Sequence, residues 1–290
     1  MLTRDREARD LPLDAHVHTD LSHDSQVPID DYARLAIERR IAEIAITDHV
    51  DFAPNAPGYG ETTFAQRERV VRDAAERWAD RGVAIRFGVE ITWDARFEDE
   101  IRDHLARNAY DFVIGSVHVY RGSPYAPDNV AGWIAGRSLA DIVAPYFDEV
   151  ASGARSGLFD AMGHIDFVKR FLAPHVTAAQ LASAPELYEP ILAALIESGT
   201  ALEINTSGLR SPAEETYPAP AIVARYAELG GRAVTVGSDA HLAEHLAWGL
   251  HDGYDSAAAA GIGTLAFRRG GDRVHLPLTA TPNATAGRWL

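Results

Sequence analysis

LPLDAHVH, residues 11–18, is an apolar run that closes on two histidines. Six more apolar runs follow, most of them rich in Val, Ile or aromatic residues, at residues 42–47, 83–93, 111–117, 159–163, 201–206 and 233–237. Near-continuous apolar character is typical of strands that are covered on both faces. We therefore expect seven buried strands.

Amphipathic stretches separate these runs, at residues 28–40, 64–81, 97–107, 138–156, 185–198 and 218–229. Such alternation predicts parallel strands joined by right-handed crossovers, in a closed barrel or in an open doubly wound sheet. Only a barrel brings the carboxyl ends of all its strands to one mouth. The polar motifs at the strand ends require that geometry, so we predict an α/β fold of (β/α) barrel type.

We expect residues 1–290 to form a single domain. Residues 1–10 are predicted to be flexible, and residues 252–290 to form a peripheral helix and hairpin. The expected positions are residues 256–260 for the helix, and residues 265–268 with 273–276 for the hairpin.

The formal net charge is -15 and the chain has no cysteine. An acidic protein is not a typical binder of nucleic-acid polymers or anionic membranes, although local cations or metal ions can still attract a small anionic substrate. Without cysteine there are no disulfides, no thiolate catalysis and no cysteine-ligated zinc. Residues 1–13 contain no apolar leader, and no apolar run reaches about 18 residues, so we expect a cytoplasmic protein.

Ligand-capable residues lie at the end of every predicted strand. His16 and His18 are two apart in a strand, so both point to one face and can reach the same ion. Glu90 lies within an apolar run, where a buried carboxylate must be paired or metal-bound. The motifs at the later strand ends are TDH (47–49), GVE (88–90), GSVH (115–118), GHID (163–166), EINT (203–206) and GSDAH (237–241).

Histidine and carboxylate ligands without sulfur suit Zn²⁺, Mn²⁺ or Fe²⁺. The candidates outnumber the ligands that one ion can bind, so we expect two or three divalent ions that share Glu90. In such clusters a hydroxide that bridges two ions attacks phosphorus in line. The pattern therefore favours phosphoester hydrolysis.

The remaining histidines are not predicted to be metal ligands. His23 precedes Asp24 in a loop, and we interpret it as lying beside the cluster or in solvent. The others lie in helical or loop patterns without a partner at ligand spacing; they are His104, His175, His245, His251 and His275.

Taken together, the motifs resemble the PHP (polymerase and histidinol phosphatase) family of phosphoesterases. The matching segments are DAHVHTDLSHDS (14–25), ITDH (46–49), GVE (88–90), IGSVH (114–118), GHID (163–166) and GSDAH (237–241), within residues 13–250. The segments FVIGSVH, SGLFDAMGHIDFVKR and LEINTSGLR are similar to sequences of the histidinol-phosphatase branch. The resemblance implies a distorted seven-stranded barrel, (β/α)7, with a metal site at the carboxyl ends of its strands.

The resemblance implies three metal positions. By that correspondence His16, His18, Glu90 and Asp239 would hold one ion, Glu90, His118 and His164 a second, and Asp24, His49 and His241 a third. Asp24 stands where many family members have histidine, which bears on metal preference and occupancy at the third position.

Two arginines are implied as ligands of the substrate phosphate, Arg170 and Arg210. A planar guanidinium suits that role because it can bind two phosphate oxygens at once. Lys169, the only lysine, and Ser207 are further candidate substrate ligands.

The reaction expected from the resemblance is hydrolysis of L-histidinol phosphate to L-histidinol and phosphate, in histidine biosynthesis. We assign Glu90, Asp239 and His241 to the catalytic set, together with both arginines. The proton of the leaving group would come from Asp24, His241 or water.

Three alternatives remain at this point. The first is a PHP phosphoesterase that acts on nucleotides or another small phosphate ester. The second is an amidohydrolase-type hydrolase, whose binuclear form uses a carbamylated lysine at the end of the fourth strand; this chain has His118 there. The third is a metal-binding module without catalytic activity.

The residues that bind the alcohol portion of the substrate are less clearly marked in the sequence than the metal ligands. Asp51 and Asp166, near the predicted mouth, are candidate partners for a cationic amine. The loop of residues 52–63 contains proline and glycine and is a candidate lid.

Overall fold

The computed structural model describes residues 10–60, 63–173 and 175–278. The strands in these ranges are Asp14–Val17 (β1), Glu43–Ile46 (β2), His49–Val50 (β3), Ala84–Thr92 (β4), Phe112–Ser116 (β5), Ala161–Met162 (β6), Ala201–Asn205 (β7), Val234–Gly237 (β8), Thr264–Arg269 (β9) and Asp272–Pro277 (β10). The seven predicted strands are confirmed as β1, β2 and β4 to β8. The two-residue strand β3 was not predicted.

Parallel pairing runs in the order β1-β2-β4-β5-β6-β7-β8, and β3 pairs with β4. The two ends of this path meet just after β1 and β8. The backbone N–H of His18 donates to Ala240 O at 2.9 Å, and the N–H of Asp239 donates to His16 O at 2.8 Å. The sheet is thus nearly closed into a barrel with helices outside it, as predicted.

Helices connect the strands, as the strand–helix alternation predicts. Their bounds are Ile29–Glu38 (α1), Phe64–Trp78 (α2), Glu98–Arg107 (α3), Val130–Ile134 (α4), Leu139–Ser156 (α5), Lys169–Leu172 (α6), Ala178–Ala182 (α7), Glu189–Ser198 (α8), Pro220–Glu228 (α9) and Leu250–Ala259 (α10). The six predicted amphipathic stretches correspond to α1, α2, α3, α5, α8 and α9. The short helix expected at residues 256–260 is the end of the longer α10, and α4, α6 and α7 were not predicted.

Local sequence explains where the longest helix starts and stops. Ser138 precedes α5, and its Oγ accepts a hydrogen bond from the N–H of Asp141 at 3.2 Å, which satisfies a backbone donor of the first turn. Gly157 follows α5 with φ of 64°, a left-handed conformation that glycine adopts without a steric penalty. The apolar face of α5 is buried and packs beside α8 and the barrel.

The hairpin of β9 and β10 lies at the amino ends of the barrel strands, opposite the mouth. Its pairing across Gly270 and Gly271 is that expected from the sequence. Phe267 packs on Phe112 at the start of β5, with ring centroids 4.6 Å apart. Arg269 binds Glu43 at the start of β2.

Some sequence-based expectations concern residues outside the described ranges. The flexibility expected of residues 1–10 falls on residues 1–9, and the peripheral C-terminal segment includes residues 279–290. Within the described residues, no helix is both long enough and apolar enough to span a bilayer.

Candidate metal centre

Glu90 is the centre of a cluster of imidazoles at the mouth of the barrel. It lies near the carboxyl end of β4, where the pairing of β3 with β4 sets His49 beside it. Five imidazole nitrogens lie within 3.4 Å of its carboxylate oxygens. They belong to His164 (2.9 Å), His16 (3.2 Å), His49 (3.2 Å), His18 (3.3 Å) and His118 (3.4 Å).

Asp239 approaches the same cluster from the turn after β8. Its Oδ1 lies 3.4 Å from His18 Nε2, 3.4 Å from His241 Nδ1 and 3.8 Å from His16 Nε2. A Cβ on the nearby Gly237 would lie 2.4 Å from the Cβ of His16. Glycine therefore lets β8 approach β1 closely enough for Asp239 to reach both histidines of the first motif.

The outer side of the cluster is formed by Asp24, His49 and His241. Asp24 Oδ2 lies 3.0 Å from His241 Nε2 and 3.2 Å from His49 Nε2. The ring of His241 stacks on that of His18, with centroids 4.1 Å apart. The two ring nitrogens of His49 thus face two carboxylates, Glu90 on one side and Asp24 on the other.

These contacts group the donor atoms into three sets that share residues. Within each set, the donor atoms lie within 4.8 Å of one another. The sets are His16, His18 and Asp239; His49, Glu90 and His118; and His18, Asp24, His49 and His241. His164 joins the second through Glu90. The nine candidate ligands therefore lie together, and their grouping overlaps each of the three positions implied by the resemblance.

The donor set suits divalent ions such as Zn²⁺, Mn²⁺ or Fe²⁺. His16 Nε2 and His18 Nε2 face each other at 2.9 Å, and both also face Glu90 and Asp239. Nitrogen and oxygen lone pairs that converge on common points are the arrangement of ligands around ions, and without sulfur they suit borderline and harder metals. Several donors are shared between sets, as a multinuclear centre requires.

Burial and the attraction between carboxylates and imidazoles together set the pKa values in the cluster. Burial would raise the pKa of Glu90, but His16, His49 and His118 outweigh it and hold the pKa well below its usual range. Burial would lower the pKa of His18, but hydrogen bonds with Asp239 and Glu90 raise it to about 9. Burial dominates at His49 and lowers its pKa to about 4. Metal binding at this site must therefore displace protons from some imidazoles.

Two of the candidate ligands have left-handed backbone conformations. φ is 23° at His164 and 52° at Asp239. Non-glycine residues adopt such values only where the surroundings hold them, and these positions concentrate at functional sites. Here the N–H of His164 donates to Glu203 Oε2 at 2.8 Å and the N–H of Asp239 donates to His16 O.

A cavity of about 420 Å³ opens beside the cluster. Arg170, Arg210 and Ser207 line it together with metal-ligand candidates such as Glu90 and Asp239. The cavity thus combines clustered imidazoles and carboxylates with two guanidinium groups.

Arg210 is anchored in the wall of this cavity. One terminal nitrogen donates to Ser238 O at 2.9 Å and to Asp239 O at 3.1 Å. Its Nη1 is buried and has no hydrogen-bond partner among the described residues. An unsatisfied buried donor on a cavity wall is a natural contact for an anionic ligand.

Arg170 and Ser207 complete the polar lining. Arg170 is exposed, and its guanidinium lies 5.9 Å from the ring centroid of Phe167. Ser207 Oγ lies 2.6 Å from Asn205 Oδ1 and 3.1 Å from Asp239 Oδ2. Ser207 therefore links the end of β7 to a predicted metal ligand.

The geometry agrees with comparisons to known proteins. The sequence profile of the PHP domain matches residues 14–207. This chain belongs to the PHP domain family. The match begins two residues before His16 and contains seven of the nine candidate ligands, all except Asp239 and His241.

Several relatives of this PHP chain are named histidinol-phosphatase or probable histidinol-phosphatase. A Deinococcus radiodurans protein named "Probable histidinol-phosphatase" is 30% identical over 261 residues, which cover 88% of this chain and 96% of the relative. The histidinol-phosphatase of Lactococcus lactis is 27% identical over 267 residues, covering 88% and 93%. A crystal structure of histidinol phosphate phosphatase from L. lactis, with zinc, L-histidinol and phosphate, has a TM-score of 0.76 at 24% identity and covers 91% of this chain and 98% of the other. That likeness shows the fold.

Lys169 requires a correction, because this PHP chain does not bring it to the cavity. Its side chain is buried, and Nζ lies 2.7 Å from Glu215 Oε1, 2.9 Å from Asp166 Oδ2 and 3.0 Å from Thr216 O. An ammonium has three donors, and these contacts occupy all of them. Lys169 thus has none left for a phosphate, and it is not among the residues that line the cavity.

Two histidines that were not predicted to be metal ligands lie near the site. His23 is 3.8 Å from Asp24 Oδ2, at the outer edge of the cluster. His245, which the sequence pattern gave no reason to select, lines the cavity, and burial lowers its pKa.

Glu203 also belongs to the site; the sequence pattern places it in the strand-end motif EINT but assigns it no role. It is fully buried in β7, and its Oε1 lies 2.6 Å from His16 Nδ1, the ring nitrogen that faces away from the cluster. Its Oε2 accepts from the N–H of His164 and from Asn205 Nδ2 at 3.1 Å. A carboxylate behind a metal-binding histidine fixes the ring orientation and its tautomer. The signal was present, since Glu203, like Glu90, is a carboxylate within an apolar run.

His118 is also supported from behind. Its Nδ1 lies 3.0 Å from Thr92 Oγ1, and Thr92 Oγ1 lies 3.0 Å from Tyr120 Oη. Burial raises the pKa of Tyr120, so the phenol remains a donor. Tyr120 Oη is also 3.1 Å from Asp51 Oδ1. This chain of contacts leads from the metal cluster into a neighbouring part of the cavity.

Proposed function

We propose that this protein is a metal-dependent phosphomonoesterase that hydrolyses L-histidinol phosphate to L-histidinol and phosphate in histidine biosynthesis. The observation that carries the proposal is the cavity in which the Glu90 cluster and two guanidinium groups face the same space. The names of relatives that match over 88% of the chain supply the substrate.

In this proposal, two or three divalent ions occupy the cluster, with Zn²⁺, Mn²⁺ or Fe²⁺ as candidates. Their ligands would be His16, His18, Glu90 and Asp239 for one ion, Glu90, His118 and His164 for a second, and Asp24, His49 and His241 for a third. When bound, such ions lower the pKa of water and neutralise charge on phosphoryl oxygens.

The residues of the chain itself would bind and orient the phosphate. Arg210 is held by Ser238 O and Asp239 O, which leaves Nη1 free for a phosphoryl oxygen. Arg170 lines the cavity and has no carboxylate partner among the described residues, so its guanidinium can bind a second oxygen. Ser207 would hold the position of Asp239 through its 3.1 Å contact. Fixed positive groups of this kind stabilise charge that develops in the transition state.

The direct test is phosphate release from L-histidinol phosphate by protein loaded with Zn²⁺ or Mn²⁺. A sample stripped by a chelator is the control, and activity should return when the metal is added back. We expect rapid, chelator-sensitive turnover. Release from nucleotides or sugar phosphates at a higher kcat/KM than from L-histidinol phosphate would contradict the substrate, and undiminished turnover after complete metal removal would contradict the chemistry.

Two further expectations accompany the activity. We propose that the chain acts as a single barrel domain, since the C-terminal hairpin packs on the strands through Phe267 and Arg269. A biosynthetic role would also agree with the cytoplasmic location expected from the sequence.

A further inference from the structure

The space at the mouth of the barrel continues beyond the phosphate cavity into two side compartments. Their volumes are about 280 and 290 Å³. Both are lined by the same four residues, Asp51, Thr92, His118 and Tyr120, which we call the Asp51 wall. His118 also lines the phosphate cavity, so the wall begins at a candidate metal ligand.

The 290 Å³ compartment is continuous with the phosphate cavity. Asp24, His49, His118, Phe167 and Arg170 line both spaces. An ester whose phosphate lies between the metal cluster and Arg170 can therefore extend its alcohol portion toward Asp51. The Asp51 wall is in the right location to contact a leaving group.

Asp51 is a buried carboxylate whose hydrogen-bond partners are neutral. Oδ1 accepts from Tyr120 Oη at 3.1 Å and Oδ2 accepts from the N–H of Gly58 at 2.9 Å. Within the described part of the chain, no Arg, Lys or His forms an ion pair with it. A buried carboxylate that lacks a cationic partner favours a cationic ligand.

The neighbouring acids do not offer the same site. Asp166 is fully buried against Lys169 and lines neither compartment. Asp94 lines the 280 Å³ compartment but binds Arg96 through both carboxylate oxygens. Glu149 lines only that compartment, accepts from the N–H of Ala95, and has a pKa that burial raises. Asp24 lines the 290 Å³ compartment but already lies against His49 and His241 in the metal cluster. Asp51 is thus the carboxylate of the two compartments that can meet an incoming cation.

Aromatic side chains surround the wall on both sides. Phe52 and Phe97 line one compartment, Phe167 and Phe171 the other, and Tyr120 lines both. Aromatic faces pack against flat rings and attract cations. We propose that the Asp51 wall binds the alcohol portion of the substrate and selects phosphate esters whose alcohol carries a protonated amine. This selectivity rests on the proposed phosphatase function and makes its substrate class more specific.

The test uses two matched pairs of esters with the metal-loaded protein. The first pair is L-histidinol phosphate and its deamino analogue, an imidazolylpropyl phosphate. The second pair is aminoethyl phosphate and ethyl phosphate. For each pair, the ratio of kcat/KM values measures the preference for the ammonium group.

We expect wild-type ratios of about 10 to 100, the range for a hydrogen bond to a charged group. Asp51→Asn should reduce both ratios toward one, because it removes the charge and keeps the side-chain size. Asp20→Asn, the same charge change at an exposed residue outside the compartments, should leave the ratios unchanged.

The outcomes separate this inference from the proposed function. Turnover of L-histidinol phosphate with ratios near one, or with ratios that Asp51→Asn does not change, overturns the role of the Asp51 wall and leaves the phosphatase assignment standing. No turnover of L-histidinol phosphate, but an Asp51-dependent preference for aminoethyl phosphate, overturns the substrate and supports the wall. If Asp51→Asn does not fold, the wild-type ratios decide, and ratios near one overturn the inference.

Discussion

Two buried glutamates lie at opposite ends of the same barrel and have different neighbours. Glu43, at the start of β2, is 2% exposed and is bound by the guanidinium groups of Arg86 and Arg269. Glu90, near the end of β4, is 1% exposed and faces five imidazoles. Both carboxylates are removed from water, but only the second belongs to a candidate site.

The difference lies in the partners. A guanidinium stays protonated in proteins, so the charge of Glu43 is balanced permanently by the chain itself. An imidazole can lose its proton, and the free nitrogen is then a metal ligand. A buried carboxylate among imidazoles can therefore exchange protons for a divalent ion, whereas one bound by guanidinium groups cannot.

The largest effect in this comparison is expected from Glu90→Gln. The change removes the negative charge that five imidazoles share while keeping the size of the side chain. We expect kcat/KM for L-histidinol phosphate to fall by about 100- to 1000-fold, and the metal content per chain to fall as well. Phosphate release and elemental analysis of the purified protein measure the two effects. Full metal content together with full activity would contradict the shared role of Glu90.

Glu203→Ala should have an intermediate effect. Glu203 holds His16 from behind and fixes the backbone of His164, so its removal should loosen two candidate ligands without deleting either. Loss of such a supporting carboxylate lowers metal affinity by about 10- to 100-fold. Competition with a chromophoric chelator measures the Zn²⁺ affinity directly, independently of turnover.

A matched control for Glu203 lies on the neighbouring strand. Thr235 pairs with Glu203 in the sheet, and its buried hydroxyl has no hydrogen-bond partner among the described residues. Thr235→Val is nearly isosteric and should leave the Zn²⁺ affinity unchanged. Equal affinities for Glu203→Ala and Thr235→Val would mean that Glu203 is only part of the barrel core.

The barrel and most of the site residues follow from local sequence patterns. Seven apolar runs predicted seven strands because a strand covered on both faces is apolar along its whole length. The motifs at the strand ends then identified the residues that gather at the mouth. Strand β3 escaped prediction because two residues carry no periodicity, and its pairing with β4 depends on the path of the chain after β2.

The partners of buried charges could not be predicted from the sequence. Glu43 and Glu90 both lie within apolar runs, and what separates them is contact with Arg269 in one case and with distant histidines in the other. Lys169 stands next to Arg170 in the sequence, yet its ammonium turns to Glu215. These contacts join residues far apart in the chain, and only the three-dimensional arrangement determines them.

Glu43→Gln should affect stability and leave the site intact. Arg86 and Arg269 would each lose a charged partner, but both are partly exposed and can turn to water, which limits the loss. We expect the free energy of unfolding to fall by about 1–3 kcal/mol, as measured by denaturant titration. Metal content and kcat/KM should stay at wild-type values. A loss of bound metal would contradict the conclusion that the ion pairs of Glu43 are independent of the metal cluster around Glu90.

The last effect should be a pH dependence of stability that the imidazole cluster produces and the Glu43 pairs do not. In protein stripped of metal, the pKa of His18 is raised from 6.5 to about 9, and those of His16 and His164 are also raised. A base with a raised pKa stabilises the fold fully below its unfolded-state pKa, and this contribution is lost as pH rises through the folded-state pKa. Stability of the stripped protein should therefore decline between pH 6.5 and about 9. The lowered pKa of His49, from 6.5 to about 4, acts only below this window.

Metal reverses that trend, because ions and protons compete for the same imidazole nitrogens and fewer protons compete at higher pH. The difference in Tm between loaded and stripped protein should therefore widen from pH 6.5 to 9. The widening should be about 2–4 °C for each kcal/mol by which the difference in their free energies of unfolding grows. The loss of Tm caused by Glu43→Gln should stay constant over the same range, since guanidinium groups remain charged throughout. Thermal unfolding of wild type and Glu43→Gln, each loaded and stripped, measures both. A gap between loaded and stripped protein that narrows as pH rises would mean that the protons on these imidazoles are not the ones that the ions displace.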